Sequence, residues 1–331
     1  MKLVYILKWF PKASETFVLD ELLAQQRAGI GMTIFSLFGS PDSGHQDYVH
    51  ELRQPIHYAP EGTLEDKARW IGERCNGACH LHAHFAASAA TVAMQVSMIT
   101  SLPFSFTAYA RDIFHESVRR EDLQEKLSRA RFCITVSRYN QSYLRTLCPN
   151  ADVRLLRTGL ALERFPFRPM PRECFVLGIG RLVPKKGFDL LGRACPEEYP
   201  LHIIGDGPEY SHIPRATLHG FLPRSAGYSW ISRAALLVLP CRIAPDGDRD
   251  GIPTVLCEGM AAGTPVLATR VAGIPEVCSS IVEPDDIESL RAGIVEMMTN
   301  PPSQSTLEGN RAWIEEHCDV DKQMQVLRSF L

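Results

Sequence analysis

The stretch GDRDGIPTVLCEGMAAGTPVLAT, residues 247–269, passes from an acidic loop through a helix into an apolar strand. Pro253 suits the first position of a helix over 253–262, because its missing N–H would have no partner there. Gly263 suits the left-handed stop. PVLAT, 265–269, then reads as a strand, and a helix feeding a strand is half of a βαβ unit. Two acids punctuate the stretch. Glu258 falls five residues into the helix, about 7.5 Å along its axis, whereas Asp250 stays on the loop. The two do not share a helical face; they flank the helix start, where Gly251 lets a ligand approach and free amides attract anions, phosphates above all. The alternative is a surface acid near a cap and a helix glutamate facing solvent.

Outward from this unit the same alternation repeats. LVYIL (3–7), MTIFSL (32–37), HLHAHF (80–85), FSFTAY (104–109) and FCITVS (132–137) read as strands, with helical spacing in 15–28, 64–75, 87–100 and 121–130. RFPFRPMPRE, 164–173, carries three prolines and reads as a linker. Beyond it come FVLGIG (175–180), LHIIGD (201–206), LLVLP (236–240), PVLAT and SIVEP (280–284). The expected fold class is α/β: two Rossmann-like, doubly wound parallel-sheet domains facing each other across a cleft, with ligands at the carboxyl ends of strands. The expected divisions are 1–166, 167–306 and a helical segment 307–331 that packs on the second domain or returns to the first.

Composition sets the class of partner. The 331 residues exceed one ordinary core, and 45% apolar with 22% charged residues is usual for a globular chain. A net charge of -3 offers no basic face for nucleic acid. MKLVYILKWFPK lacks the length and cleavage site of a signal peptide, so a cytoplasmic protein is expected and its ten cysteines are read as free, buried thiols. Trp9, Phe10, Arg119 and Arg120 allow peripheral contact with the inner face of a membrane.

GRLVPKKGFD follows the strand 175–180 and sets Arg181 and Lys186 on a loop that opens a helix. Arginine supplies a planar fork and lysine a point charge, a combination suited to a diphosphate. Alone such a loop is a solvated basic turn; beside the helix start at Gly251 it becomes a phosphate clamp.

Taken in order, GRLVPKKGFD, IIGDGPE (203–209), HGFLPR (219–224) and DGIPTVLCEGMAAGTPVLAT (250–269) resemble the donor half of GT-B glycosyltransferases of family GT4, with Asp250 and Glu258 on that family's paired-acid motif. FPKASETFVLDEL (10–22), HAHFA (82–86) and PFSFTAYARDIF (103–114) are similar to bacterial transferases of exopolysaccharide or lipopolysaccharide synthesis. The resemblance implies a retaining, metal-independent hexosyltransferase with no cofactor. Its co-substrate would be a nucleoside-diphosphate sugar, a UDP-sugar in preference to a GDP-sugar. Its acceptor would be a saccharide, a lipid-linked or a small-molecule hydroxyl.

By the same resemblance Gly180, Arg181 and Lys186 hold the diphosphate, Glu258 meets the ribose and Asp250 faces the sugar. Gly251, Ile252, Pro253, Thr254 and Val255 meet sugar hydroxyls and the distal phosphate, and Gly220, Phe221 and Leu222 line the base, with Gly205 nearby. Two departures stand out. Asp250 is a methylene shorter than the usual glutamate, and Tyr109 stands where relatives often carry a reaction-centre histidine. A phenol with pKa near 10 donates a hydrogen bond but is a poor base at neutral pH. Rivals are a sugar-nucleotide epimerase of the same fold and a nucleotide-binding subunit without turnover.

Other residues carry two readings each. His80, His82 and His84 share a strand face behind Cys75 and Cys79, yet the spacing is not that of a zinc site; no metal is expected, and His84 is read as a site residue. DGDRD (246–250) is read as a solvated acidic loop, and GIGRL and GDGPE do not complete a dinucleotide motif. Ser14 is an N-cap or, with Glu15 and Thr16, part of an acceptor loop. Arg111 and Asp112 contact acceptor, or Asp112 caps the next helix.

Overall fold

The structure, a computed structural model, describes residues 2–39, 47–168 and 172–331. It divides into two compact units, one reaching Gly159 and including Gln323–Leu331, the other Leu160–Lys322. In the first unit the strands are β1 (Lys2–Trp9), β2 (Gly31–Phe38), β3 (Ile56–Tyr58), β4 (His80–His84), β5 (Phe104–Ala108), β6 (Phe132–Thr135) and β7 (Val153–Leu155). They form one sheet in the order β3-β2-β1-β4-β5-β6-β7, parallel throughout. HLHAH and FSFTA are buried at every position, as a strand covered on both faces must be. Val4, Ile6, Leu81 and Phe106 pack with Ala89, Ala93 and Val96 of the helix Ser88–Thr100; Leu3, Tyr5 and Leu7 pack with Val18 and Leu22 of the helix Thr16–Arg27.

The second unit repeats the plan with β8 (Glu173–Ile179), β9 (Leu201–Ile204), β10 (Thr217–Leu218), β11 (Ala234–Leu239), β12 (Val266–Thr269) and β13 (Ile281–Val282). The order is β10-β9-β8-β11-β12-β13, again all parallel. Leu177, Leu237 and Leu239 pack under Leu256 and Met260, while Val176, Leu236 and Val238 pack under Leu191. In each sheet the chain builds outward on one side of its first strand and then crosses to the other. The reversal lies between β1 and β4 and between β8 and β11, so the loops leaving those strands diverge and open a crevice at their carboxyl ends.

All the strands read from sequence are present. The short edge strands β3, β7 and β10 were not foreseen, because two or three residues carry no periodicity. The proline-rich stretch read as a linker is instead fastened to the second unit. Phe165 is buried, Arg168 donates its backbone N–H to Ala262 O, and the Arg172 guanidinium donates to the carbonyls of Ser232 and Ala262. Pro169, Met170 and Pro171 lie outside the described residues.

The C-terminal segment serves both units. In the helix Gln304–His317, Arg311 donates to the carbonyls of Phe165 and Ala261; at the end of the helix Val320–Phe330, Arg328 donates to Gln25 Oε1 and Phe330 packs edge-on against Phe132. The cysteines are free, most of them buried, with Cys79 and Cys174 exposed. Among the described residues no helix is long and apolar enough to cross a membrane.

Close backbone approach holds the second crevice together. Gly205 has φ +142°, its N–H donates to Gly220 O at 2.8 Å, and a Cβ there would lie 1.9 Å from the carbonyl oxygen of Gly180. Gly205→Ala is therefore expected to lower stability by about 2–3 kcal/mol, read as a fall in the urea midpoint without a change in slope. An unchanged midpoint would contradict this packing.

Candidate functional site

In the second unit the turns after β8 and β11 are joined by four buried charges. Lys185 Nζ lies 3.0 Å from Asp248 Oδ1 and 3.2 Å from Asp250 Oδ1, and Lys186 Nζ lies 2.5 Å from Asp250 Oδ2. Cys241, two residues past β11, places Sγ 3.5 Å from Asp250 Oδ2. Gly187, at φ +65°, lets the turn sit on the end of β11, since a Cβ would meet Pro240 O at 2.1 Å. Burial alone would raise the Asp250 carboxyl, but Lys186 and Lys185 outweigh it and hold it well below the usual carboxylate range. Burial would lower Lys186, and Asp250 reverses that and raises it. Burial pushes the Cys241 thiol up to about 12, with Asp250 adding to the rise, so it stays protonated and can donate.

The helix over this loop is Thr254–Ala261, with Pro253 at the N-cap instead of inside the first turn, and Gly263 at φ +71° ends it. Its first amides have no partner within the helix. Gly251 is fixed from behind by Gly273 N–H, which donates to its carbonyl at 3.0 Å. Glu258 is buried, with Arg224 Nη2 3.5 Å from its Oε1; the Arg224 guanidinium lies 5.3 Å from the centre of the Phe165 ring. Arg181 is exposed at the mouth of the same turn.

In the first unit β4 carries a row of buried imidazoles. His80 Nε2 and His82 Nδ1 both bond Ser105 Oγ, at 2.7 and 2.8 Å, and His82 Nε2 bonds Thr107 Oγ1 at 3.1 Å. Burial lowers His80 to about 4 and His82 to about 3, so both are neutral at pH 7. His84, the last residue of the strand, differs: its Nδ1 lies 2.7 Å from the Tyr109 hydroxyl and its Nε2 3.5 Å from Glu21 Oε1. Burial would raise the Glu21 carboxyl, but His84, with His82 and the Tyr5 hydroxyl, outweighs it and keeps it lowered. Burial, then the Glu21 charge, raises the Tyr109 phenol well above its ordinary value. Phe17 and Phe85 hold the Tyr109 ring at centroid distances of 4.9 and 4.7 Å.

Among the described residues, Glu21, His82 and His84 are the ones whose donor atoms come near enough together to suggest a metal, within 4.8 Å of one another. Both nitrogens of His82 are already hydrogen-bonded within the sheet, to Ser105 and Thr107.

Residues 173–300 match the family described as Glycosyl transferases group 1. The match lies within the second unit. The chain is 29% identical over 45% of its length to WcaL of Salmonella typhimurium, named for colanic acid biosynthesis, and that match spans only 43% of the relative. It is 24% identical to the amylovoran biosynthesis glycosyltransferase AmsK of Erwinia amylovora, over 84% of each chain. The HepE protein of Anabaena, solved in complex with UDP, superposes with a TM-score of 0.80 at 15% identity over 99% of both chains. The fold is GT-B.

Within the second unit Lys186 meets Asp250, and Gly251 and Ile252 lead into the helix bearing Thr254, Val255 and Glu258. Gly180 and Gly220 are joined through Gly205, Leu222 packs into the core and Phe221 is 45% exposed. The DGDRD loop is not solvated as expected: Asp248 is 5% exposed and Asp250 is held by two lysines. Ser14 does not cap its helix; it is exposed, the N-cap is Glu15, which pairs with Lys12 at 2.5 Å, and Thr16 begins the helix.

Asp112 accepts from the N–H groups of Ala86, Tyr109 and Ala110, so it pins a loop and has little left for a ligand. Arg111 is exposed, with Nη2 3.1 Å from His115 Nε2. Sequence reasoning passed over Lys185, Asp248 and Glu21. Glu21 stands next to the buried Asp20 within the apolar run Val18, Leu19, Leu22 and Leu23, and nothing in the sequence tells the two acids apart.

Asp250→Asn is expected to cost about 3 kcal/mol at pH 7, since it leaves Lys186 without its carboxylate and Lys185 with Asp248 alone. Because the folded carboxyl is depressed, its contribution is full above the unfolded value near 4 and fades as pH falls below it. Urea unfolding should therefore show the gap between wild type and variant narrowing from pH 6 to pH 3. A gap that does not change would contradict the assignment.

Proposed function

We propose that this protein is a retaining glycosyltransferase that moves a sugar from a nucleoside-diphosphate sugar to a hydroxyl of a saccharide, lipid-linked or small-molecule acceptor. The observation that carries the reading is Lys186, fixed by Asp250 on the loop that runs into the helix Thr254–Ala261. An ammonium has three donors and commits few of them to one carboxylate. Lys186 keeps donors for an oxyanion, and the exposed Arg181 adds a planar fork at the rim. The free amides at Thr254 and Val255 would meet the distal phosphate. Positive charge supplied in place by these groups stabilises a departing diphosphate without reorganisation, so a metal ion is not required in this proposal.

Glu258, buried and steered by Arg224, would accept from ribose hydroxyls, and Asp250 from a hydroxyl of the sugar. Asp250 is held ionised by its lysines and so remains an acceptor throughout. We place the acceptor with the first unit, around Lys8, Lys12, Glu15 and Arg111, and take UDP-sugar as the donor, with GDP-sugar as the competitor in the screen. We place the protein in the cytoplasm, with peripheral membrane contact where the acceptor is lipid-linked.

Arg181→Ala combined with Lys186→Gln should weaken binding of the preferred nucleoside diphosphate about 100-fold or more, by calorimetry, with the circular-dichroism spectrum unchanged. Incubation of the wild type with the nucleotide-sugar panel and acceptor should release nucleoside diphosphate only when acceptor is present. Undiminished affinity in the double variant, or a donor sugar altered without acceptor, would overturn the proposal.

A further inference from the structure

With one hydrogen on the His84 ring, the hydrogen bonds around it have only one consistent direction. Arg328, which can only donate, gives to Gln25 Oε1; Gln25 Nε2 gives to the Tyr5 hydroxyl at 3.3 Å; Tyr5 gives its own hydrogen to Glu21 Oε1 at 3.0 Å. An ionised carboxylate can only accept. Glu21 therefore closes the chain from that side and requires a donor on the other, where the buried His84 Nε2, with no nearer partner, faces it at 3.5 Å. Placing the His84 hydrogen on Nε2 leaves Nδ1 bare. A bare Nδ1 at 2.7 Å must accept the hydrogen of Tyr109. The phenol oxygen is then left with its lone pairs and no hydrogen of its own to offer.

We infer that Glu21 is a positioning residue that acts through His84 to hold the Tyr109 oxygen as a hydrogen-bond acceptor for a sugar hydroxyl of the substrate. The inference rests on the transferase reading. The surroundings of Tyr109 fix it from three sides, since Phe17 and Phe85 clamp its ring, Asp112 accepts from its N–H, and Asn140 Nδ2 donates to its carbonyl. His84 is 1% exposed and so beyond the reach of substrate, whereas Tyr109 is half-buried at the carboxyl end of β5, beside the crevice of the first sheet. A neutral phenol whose hydrogen is committed inward discriminates by direction: it welcomes a donor and repels a second acceptor lone pair.

Glu21→Gln keeps the shape and reverses the polarity. Glu21 Oε1 faces both the Tyr5 hydroxyl and His84 Nε2; with the amide nitrogen in that position Nε2 receives a hydrogen, the histidine hydrogen moves to Nδ1, and Nδ1 then donates to the Tyr109 oxygen and fills the position meant for substrate. Nitrogen-15 shifts of labelled histidine should show His84 protonated at Nε2 in the wild type and at Nδ1 in Glu21→Gln. Against the preferred nucleotide sugar, kcat should fall about tenfold or more in Glu21→Gln and in Tyr109→Phe, with KM for the donor nearly constant. The double variant should be no worse than Tyr109→Phe, because both changes remove one interaction, and Glu21→Asp should recover part of the rate.

A wild-type His84 protonated at Nδ1, wild-type turnover in Glu21→Gln, or additive losses in the double variant would overturn the inference. A wild type that transfers no sugar would defeat the transferase reading, while the nitrogen shifts would still decide the direction of the chain.

Discussion

Two lysines and two aspartates buried between the turn after β8 and the loop after β11 are the constraint on which the candidate donor site depends. Removing four charges from water is costly, and their mutual attraction offsets this only where geometry and added hydrogen bonds are good. Here each lysine has at least one carboxylate within 3.0 Å, and the Cys241 thiol lies against Asp250. Such a cluster is weak evidence for stability in itself. Its physical consequence is positional: it ties together the two loops that diverge at the strand-order reversal, keeps Asp250 ionised and holds Lys186 against the loop that leads into the next helix. An anion arriving there meets charge already in place.

The two sheets place their chemistry by the same topological rule, although the chemistry differs. In the second unit cations and backbone amides gather past β8 and β11. In the first unit a buried imidazole row on β4 ends in His84, which alone among the three faces both a carboxylate and a phenol. His80 and His82 direct their bonded nitrogens to Ser105 and Thr107 and serve the core. The difference between neighbours two residues apart is set by what β5 offers opposite them: hydroxyls inside the sheet, and an aromatic ring just past its end.

Much of this was legible in the sequence, and the limits are instructive. The β-rich runs separated by helical spacing gave the parallel sheets, because a strand buried on both faces cannot hide its apolar run. Lys186, Gly251 and Glu258, three of the residues proposed to hold the donor, were singled out from glycine, proline and charge punctuation around one helix. What could not be read is whatever depends on distant partners. DGDRD looks solvated until Lys185 is found beneath it, and RFPFRPMPRE looks like a linker until Arg168 and Arg172 are seen fastened to carbonyls of 232 and 262. Glu21 acquires meaning only when β1, β4 and its own helix bring Tyr5 and His84 to it. Edge strands of two or three residues carry no period at all.

The central claim is that a nucleoside diphosphate is held by Lys186 and the first turn of the helix Thr254–Ala261. A crystal structure of the protein with UDP tests it most directly. The account predicts diphosphate oxygens within hydrogen-bond distance of Lys186 Nζ and of the backbone amides at Thr254 and Val255, with the Asp250–Lys186 pair still in contact. UDP bound away from that helix terminus, with Lys186 touching only Asp250, would contradict it.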